Sequence, residues 1–426
     1  MSVIHDLLRD VPLPRMARVR QIFAADAITD VEAELRAQLR LPHIAQTIRR
    51  GTRIAVGVGS RGLAELPLLA RVVVDELKAA GAAPFIVPAM GSHGGATNEG
   101  QKALLAALGV TETTAGCPIV SSMETVELGT LDGGMPILID RNAMQADGIV
   151  VINRVKPHTS FSGPVESGLA KMIAIGLGKQ KGADAVHAPG FGEMARNVVE
   201  IAKAKLEKAN ILFGVATVEN AYERIAKVEA IRASQILARE EQLLIEAKRN
   251  MPRILFNPLD VLIVDKMGKE FSGTGTDPNI TGRASTPFVA PAQKVARMVI
   301  LDLSDRSKGN ATGVGLADVC TKRLFEKIDR DATYANHITA TVLAHAKIPM
   351  IMDCDRLAIQ AAIKTCNIRD VARVRVVRIP NTLHLERIEI SEALIDEAMR
   401  NSAIEVGSAP GAWTFDAAGN LGSLAN

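Results

Sequence analysis

The chain is poor in aromatic residues: phenylalanine, tyrosine and tryptophan together make up 3% of its 426 residues. Nucleic-acid surfaces that stack bases need aromatic rings, so this composition argues against them. The hydrophobic core must instead be built from alanine, valine, isoleucine and leucine. Such a core favours buried parallel strands that are covered by helices.

An excess of charge is also absent, since the formal net charge is +3 and acidic and basic residues are interspersed. No basic block marks a surface for nucleic acid or for an anionic membrane. No apolar run is long enough to span a bilayer, and Arg9, Asp10 and Arg15 interrupt the region where a signal peptide has its apolar core. The four cysteines show no C-x-x-C spacing, which indicates free thiols. We therefore expect a cytoplasmic protein.

Apolar segments alternate with amphipathic ones along most of the chain. The first fifty residues are predicted to be largely helical. The predicted strands are residues 53–58, 84–89, 148–153, 259–265, 298–303, 350–352, 373–378 and 385–390. The predicted helices are residues 63–80, 97–108, 192–208, 231–248, 315–327, 331–346 and 356–365. Strands separated by helices of this length predict parallel, doubly wound sheets.

The length suits two domains, and residues 249–258, which contain two prolines, are the best boundary. We predict an α/β protein with an N-terminal domain of residues 1–253 and a C-terminal domain of residues 254–426. Each is expected to be a mostly parallel Rossmann-like sheet with helices on both faces. The last residues are expected to pack back on the first domain.

A glycine-rich turn, residues 57–62, has the form G-x-G-x-x-G between a predicted strand and a predicted helix. This is the context of a dinucleotide fingerprint, and Arg61 adds positive charge near a helix N-terminus, where anions bind. The next strand is followed by Ala89 and Met90, with no acidic residue to bind a ribose hydroxyl. NAD binding therefore stays an alternative, beside a more general phosphate site.

Histidines follow two of the predicted strands directly. His93 lies in Gly91-Ser92-His93-Gly94-Gly95, and His158 follows the strongly apolar segment 148–153. Because the carboxyl ends of parallel strands meet at one edge, both side chains are expected there, where open α/β sheets bind ligands. Imidazoles at such turns are good acids, bases and metal ligands near neutral pH.

Lys171 lies within the apolar run 169–175, where a free ammonium group is costly to bury. Its amine must be paired, depressed in pKa or covalently modified, unless it reaches the surface. His187 follows it by sixteen residues. In the second predicted domain, Lys266, Lys269 and Arg283 surround a polar glycine-rich loop and are candidates to bind a substrate carboxylate.

Together these motifs resemble the lactate racemase family, which depends on a nickel-pincer nucleotide. The resemblance rests on Gly59-Ser60-Arg61, Gly91-Ser92-His93, Pro157-His158, Ser167-Gly168 with Lys171, and His187, in this order. It covers about residues 52–187. Two features depart from the family: the Asp, Thr and Pro of its Asp-x-Thr-Arg-Pro signature are missing, and the segment around residues 164–166 is longer.

The resemblance implies the role of each residue. Lys171 would bear the cofactor, a pyridinium-3,5-bisthiocarboxylic acid mononucleotide with nickel, and His187 would complete the nickel coordination. His93 and His158 would be the two acid/base groups. The expected cofactor-binding residues around them are Ser60, Arg61, Gly62 and Ser92.

The expected enzyme is an isomerase, a racemase or epimerase of a small 2-hydroxy acid, that receives its cofactor from cofactor-assembly enzymes; a homo-oligomer is left open. Three alternatives stay open. The first is an NAD-dependent dehydrogenase that uses the turn of residues 57–62. The second is a zinc hydrolase with His93, His158 and His187 as ligands. The third is a non-catalytic binder of a phosphorylated metabolite.

Overall fold

The computed structural model describes residues 3–60 and 62–424. The strands of this part are β1 (Met16–Gln21), β2 (Arg53–Val58), β3 (Ala83–Pro88), β4 (Thr125–Thr130), β5 (Pro136–Asp140), β6 (Gly148–Arg154), β7 (Ile211–Glu219), β8 (Ile225–Arg232), β9 (Leu259–Met267), β10 (Val295–Leu303), β11 (Val319–Thr321), β12 (Met350–Met352), β13 (Val376–Ile379), β14 (Arg387–Ser391) and β15 (Ile404–Val406). The α-helices are α1 (Val3–Leu8), α2 (Val31–Leu39), α3 (Pro42–Ala45), α4 (Leu66–Ala79), α5 (Asn98–Ala107), α6 (Glu112–Ala115), α7 (Arg141–Met144), α8 (Leu169–Ala174), α9 (Lys179–His187), α10 (Met194–Lys208), α11 (Ile236–Asn250), α12 (Pro278–Thr281), α13 (Lys322–Glu326), α14 (Arg330–Ala340), α15 (Asp355–Thr365) and α16 (Ile395–Arg400).

Residues 24–251 form one unit, built on a five-stranded sheet with the order β3-β2-β6-β7-β8. The first four strands are parallel and β8 is antiparallel. Helices α2 and α4 pack on one face, where aliphatic side chains from helices and strands form a continuous core. Helix α8 packs on the opposite face. It approaches closely because Gly214 in β7 has no side chain: a Cβ there would lie 2.6 Å from Leu169 Cδ1.

Residues 3–23 and 252–424 form the second unit, around an eight-stranded sheet with the order β12-β11-β10-β9-β13-β14-β1-β15. The five strands from β12 to β13 are parallel. The remaining three, β14, β1 and β15, extend the sheet in antiparallel fashion. Helix α15 covers one face of this sheet with buried aliphatic side chains.

The predicted fold class is confirmed, since both sheets are large, mostly parallel and flanked by helices. The predicted boundary at 253/254 lies next to the observed one at 251/252. Residues 3–23 differ from the prediction, because β1 pairs with β14 and β15 and so belongs to the second unit. The last residues make the contacts described here within the second unit: β15 pairs with β1, and the Leu424 N–H donates to Asp265.

Three local predictions were wrong. The first fifty residues are not largely helical, because they contain the strand β1. The segment predicted as a helix over residues 315–327 contains the short strand β11 before helix α13. The helix predicted from residue 231 begins at Ile236, because the preceding residues end the strand β8. Among the described residues, no helix combines the length and apolar character needed to cross a membrane.

Candidate active site

The predicted site residues of the first unit lie at one edge of its sheet. Strands β2, β3 and β6 are parallel neighbours, so their carboxyl ends point the same way. Ser60, His93 and His158 each follow one of these ends by a few residues. This is the edge at which open α/β sheets bind ligands.

His93 is exposed and precedes a short 3₁₀ turn, Gly94–Ala96. The hydroxyl of Ser60 hydrogen-bonds to its Nδ1 and thereby orients the ring. The fully buried Gln101 supports the backbone of this loop, because its Nε2 donates to the carbonyl of Gly91 at 2.9 Å and to that of His93 at 3.2 Å. The structure thus brings together two predicted site residues that are 33 positions apart in the chain.

A buried ion pair lies behind this loop. The Lys179 ammonium group is 2.9 Å from Asp140 Oδ2, and both side chains are inaccessible to solvent. Lys179 also donates to Gln101 Oε1 at 3.1 Å and to the carbonyl of Pro88 at 2.6 Å. Burial lowers the pKa of Lys179, and the Asp140 charge opposes this. Lys179 therefore contacts Gln101, which in turn binds the backbone of the His93 loop. Sequence analysis missed this arrangement because these residues are far apart in the chain.

His158 lies in a closed loop, residues 156–167. The loop is closed by two backbone hydrogen bonds between Lys156 and Ser167, of 2.8 and 3.1 Å. Inside it, buried Glu166 accepts the backbone N–H of His158 at 2.7 Å. Its other oxygen lies 2.7 Å from the Lys248 ammonium group. The longer segment around residues 164–166 thus provides an acidic brace for the His158 backbone.

The ring of His158 is held by two neighbours. Its centroid lies 4.4 Å from that of the buried Phe161. The Ser160 backbone N–H donates to His158 Nδ1 at 3.0 Å. Because Nδ1 accepts this bond, the neutral ring carries its proton on Nε2.

Lys171 is a half-buried residue of α8, and His187 is the last residue of α9. Burial lowers the pKa of His187, and the charge of Lys171 contributes to that lowering. His187 Nδ1 lies 2.7 Å from the carbonyl of Ala183, to which it donates, so the lone pair of the neutral ring is on Nε2.

Aromatic and backbone contacts connect these groups. The ring of Phe191 lies 5.8 Å from that of His187 and 6.4 Å from that of His158, measured between centroids. The Gly91 N–H donates to the carbonyl of Gly176 at 3.1 Å, which ties the His93 loop to the segment after α8. His93, His158, Lys171 and His187 therefore belong to one neighbourhood.

Residues 11–197 match the family model of the lactate racemase N-terminal domain. The match covers less than half of the chain, and this segment is similar to that domain family. The resemblance drawn from the sequence motifs is thereby confirmed for the part of the chain that contains all four of these side chains.

Two solved structures are similar over most of the chain. The lactate racemase apoprotein from Thermoanaerobacterium thermosaccharolyticum has a TM-score of 0.53 at 15% identity, with coverage of 91% of this chain and 97% of that one. A structural-genomics target from Thermotoga maritima has a TM-score of 0.51 at 15% identity, with coverage of 76% and 84%. Both similarities show a shared fold. No curated protein matches this sequence significantly.

In the resemblance described above, a single imidazole, that of His187, would bind a metal, and the other donors would come from the cofactor. In the described residues, no group of three or more histidine, cysteine, aspartate or glutamate side chains is placed to hold a metal ion. The alternative of a zinc site formed by His93, His158 and His187 is therefore not supported. A metal whose other donors come from a bound cofactor fits His187, because a backbone carbonyl orients its ring and its lowered pKa favours the neutral, ligating form.

Two of the remaining predicted residues of this domain, Gly62 and Ser92, follow the carboxyl ends of β2 and β3; Gly62 is exposed and Ser92 is half-buried. Arg61 lies outside the described residues. Gly59 permits a close approach between the loop after β2 and α8, since a Cβ there would lie 3.0 Å from Met172 Cε. Met172 follows Lys171 directly, so this loop adjoins the helix that carries the lysine.

The predicted substrate residues lie in the second unit, and the structure separates them. Lys266 is exposed near the carboxyl end of β9, and half-buried Lys269 just beyond that end contacts Asn336. Arg283 instead pairs with Asp318, which precedes β11, and donates to the carbonyl of Ala296 near the start of β10 at 3.0 Å. It therefore lies at the opposite edge of the sheet in a structural ion pair, and its assignment to the substrate is corrected.

Two buried ionisable residues at the ends of α8 were missed by sequence analysis. Glu240 of α11 accepts the N–H of Ala170 at 2.8 Å, and burial raises its pKa to about 7. Lys205 of α10 donates to the carbonyls of Ile173 and Ala174, both at 2.9 Å, and burial lowers its pKa to about 7. Their helical positions resemble those of ordinary surface charges, so only the tertiary structure reveals them.

The shifted pKa of Lys205 predicts a pH-dependent stability. Because its folded-state pKa of about 7 is below the model value of 10.5, the unfolded chain binds more protons between these values. Its contribution to stability is present at high pH and is lost as the pH falls through about 7. We expect Lys205→Met to remove this dependence, so that the difference in free energy of unfolding between variant and wild type changes with pH. Urea denaturation between about pH 7 and about pH 10 measures it.

The control is Lys203→Met, which removes an exposed lysine from the same helix. The difference in free energy of unfolding between Lys203→Met and the wild type should be constant over this pH range. A constant difference for Lys205→Met as well would contradict the lowered pKa. The raised pKa of Glu240 does not affect this measurement, because it changes the free energy of unfolding at lower pH. The contribution of Glu240 to stability is present below pH 4.5 and is lost as the pH rises through about 7.

Proposed function

We propose that the chain is a racemase or epimerase of a 2-hydroxy acid that uses a nickel-pincer nucleotide attached to Lys171. The family match of residues 11–197 supports racemase activity. The observation that carries the proposal is the state of His187: its Nδ1 donates to a backbone carbonyl, and burial, with a contribution from the charge of Lys171, lowers its pKa. In this proposal Lys171 is the covalent tether and His187 is the single neutral metal ligand.

The chemistry needs a hydride acceptor, because the α C–H of a 2-hydroxy acid is not acidic enough for easy deprotonation. When bound, the nickel-pincer nucleotide supplies this acceptor. In this proposal His93 and His158 take up and return the hydroxyl proton. His158 must first release the Ser160 N–H from its Nδ1, because the Nε2 of its neutral ring already carries a proton. Two histidines are required because the hydroxyl group points in opposite directions in the two stereoisomers. Ser60 orients the ring of His93, and Glu166 holds the backbone of His158.

The other residues bind rather than react. Ser60, Arg61, Gly62 and Ser92 are proposed to bind the cofactor near its phosphate, where loop N–H groups favour an anion. Lys266 and Lys269 of the second unit stay candidates to bind the substrate carboxylate.

The test is intact-mass and metal analysis of protein produced together with cofactor-assembly enzymes. We expect a mass adduct that peptide mapping places on Lys171, and nickel in stoichiometric amount. A positive-control racemase must load under the same conditions. If the control loads and this chain gains neither adduct nor nickel, the proposal is wrong, and tight binding of NAD(H) or of a phosphorylated metabolite becomes the next measurement.

His187→Ala should separate the metal from the organic part of the cofactor. We expect the variant to keep the adduct on Lys171, because the tether does not involve the imidazole, but to lose nickel on desalting. His43→Ala, which replaces an exposed histidine of α3, is the matched control and should retain both. Full nickel retention in His187→Ala would contradict the assigned ligand.

A further inference from the structure

The helix that carries Lys171, α8, has only six residues. Helices this short do not persist by themselves, so tertiary contacts must hold α8 in place. We propose that Glu240 and Lys205 are positioning residues that fix the two ends of α8 and thereby present the Lys171 amine for reaction. That the Lys171 amine reacts with the cofactor rests on the proposed function.

The amino end of α8 lacks a side-chain cap of its own, because its N-cap residue is Gly168. Helix termini leave N–H groups without intrahelical partners. Glu240, from α11, supplies the acceptor by binding the Ala170 N–H at 2.8 Å. Gly168 makes room for this contact, since a Cβ at its position would overlap the Glu240 carboxylate.

The carboxyl end of α8 is held by the opposite type of side chain. Lys205, from α10, is inaccessible to solvent and donates to the carbonyls of Ile173 and Ala174. An acidic group at the amino end and a basic group at the carboxyl end both complement the helix dipole. Lys171 lies between these contacts, one residue after Ala170 and two before Ile173.

Stability alone does not account for this arrangement. Burying an ionisable side chain costs free energy, and well-packed apolar residues in its place are often neutral or stabilising. In this protein an ionisable side chain is buried at each end of the same short helix, and the two side chains come from two different long helices. Loss of either contact would let a terminal turn of α8 open and would move Lys171.

The experiment compares Glu240→Leu, Lys205→Met and Gly168→Ala with the wild type, all without cofactor. The first two variants each remove a buried polar group. The third displaces the Glu240 carboxylate but leaves both Glu240 and Lys205 in place. Two readouts are used: amide hydrogen exchange of residues 169–175, and the rate at which an N-hydroxysuccinimide ester acylates Lys171 relative to exposed Lys181.

We expect exchange in residues 169–175 to rise about tenfold or more, the factor expected when a buried hydrogen bond is lost. Exchange in β6 should stay unchanged. The relative acylation rate of Lys171 should change in the same variants, whereas Glu240→Gln should restore the wild-type value because its amide oxygen still accepts the Ala170 N–H. Glu241→Gln and Lys203→Met, at exposed positions of α11 and α10, are the controls.

Wild-type exchange and wild-type Lys171 acylation in the folded variants would overturn the proposal. If Glu240→Leu does not fold, Gly168→Ala and Lys205→Met decide the result. Loading with cofactor then separates the two proposals. If the wild type gains no adduct while the variants still alter α8 and Lys171, the proposed function fails and the positioning role stands. If the wild type loads and all three variants load equally well, the positioning role fails.

Discussion

Replacing Lys171 with arginine should abolish cofactor attachment and reduce turnover to background. The guanidinium group keeps the positive charge but does not deprotonate in proteins, so it cannot replace the amine as a covalent tether. Arginine also keeps an aliphatic stem in this half-buried position, so the fold should be preserved. Intact mass after co-production with the assembly enzymes should equal that of the polypeptide alone.

Lys181→Arg is the matched control for this variant, since Lys181 is an exposed lysine of the neighbouring helix α9. It should carry the adduct at the wild-type level and keep wild-type turnover. An adduct that survives Lys171→Arg, and that mapping places on another residue, would show that the tether has been assigned to the wrong lysine.

His93→Gln and His158→Gln should each lower turnover by at least about a hundredfold, the usual contribution of a general acid or base. This corresponds to about 3 kcal/mol of barrier. Both variants should still carry the adduct, because neither histidine forms the tether in our proposal. For a racemase, the two enantiomers are equal in free energy. Each single replacement must therefore lower kcat/KM equally in both directions.

The measurement is the initial rate from each pure enantiomer, with adduct content determined on the same samples. His43→Gln, at an exposed position of α3 away from the carboxyl edge of the sheet, should leave both rates unchanged. Near-wild-type rates in either His93→Gln or His158→Gln, at full adduct content, would remove that residue from the acid/base pair.

The strands that position the site could be predicted because each contains an unbroken apolar run. Residues 54–58 and 148–152 are such runs, and they lie in β2 and β6, which are central strands of the first sheet. By contrast, β1 carries arginines among its apolar residues, and its pairing partners lie more than 360 positions away, as between Met16 and Ser391. Its strand character depends on these partners, which no local pattern contains.

The residues of the candidate site also fall into two groups: those that could be predicted from the sequence and those that could not. His93, His158, Lys171 and His187 could be identified because each lies in a short motif at a strand end or at a fixed spacing. The groups that support them could not, because each acts through a contact between distant segments. Glu240, for example, meets Ala170 across 70 positions, and Lys179 meets Gln101 across 78.

The position of β1 between β14 and β15 has a consequence for the order in which the protein is made. The first unit is complete once residue 251 has been synthesised. Its sheet can therefore form while the rest of the chain is still being synthesised on the ribosome. The strand β1, although it is synthesised earlier, cannot pair until residues 387–406 emerge. Until then it is an unpaired strand that must be kept from pairing with other chains. The part that holds the four site side chains can thus be completed first, and the pairing of β1 with β14 and β15 comes last.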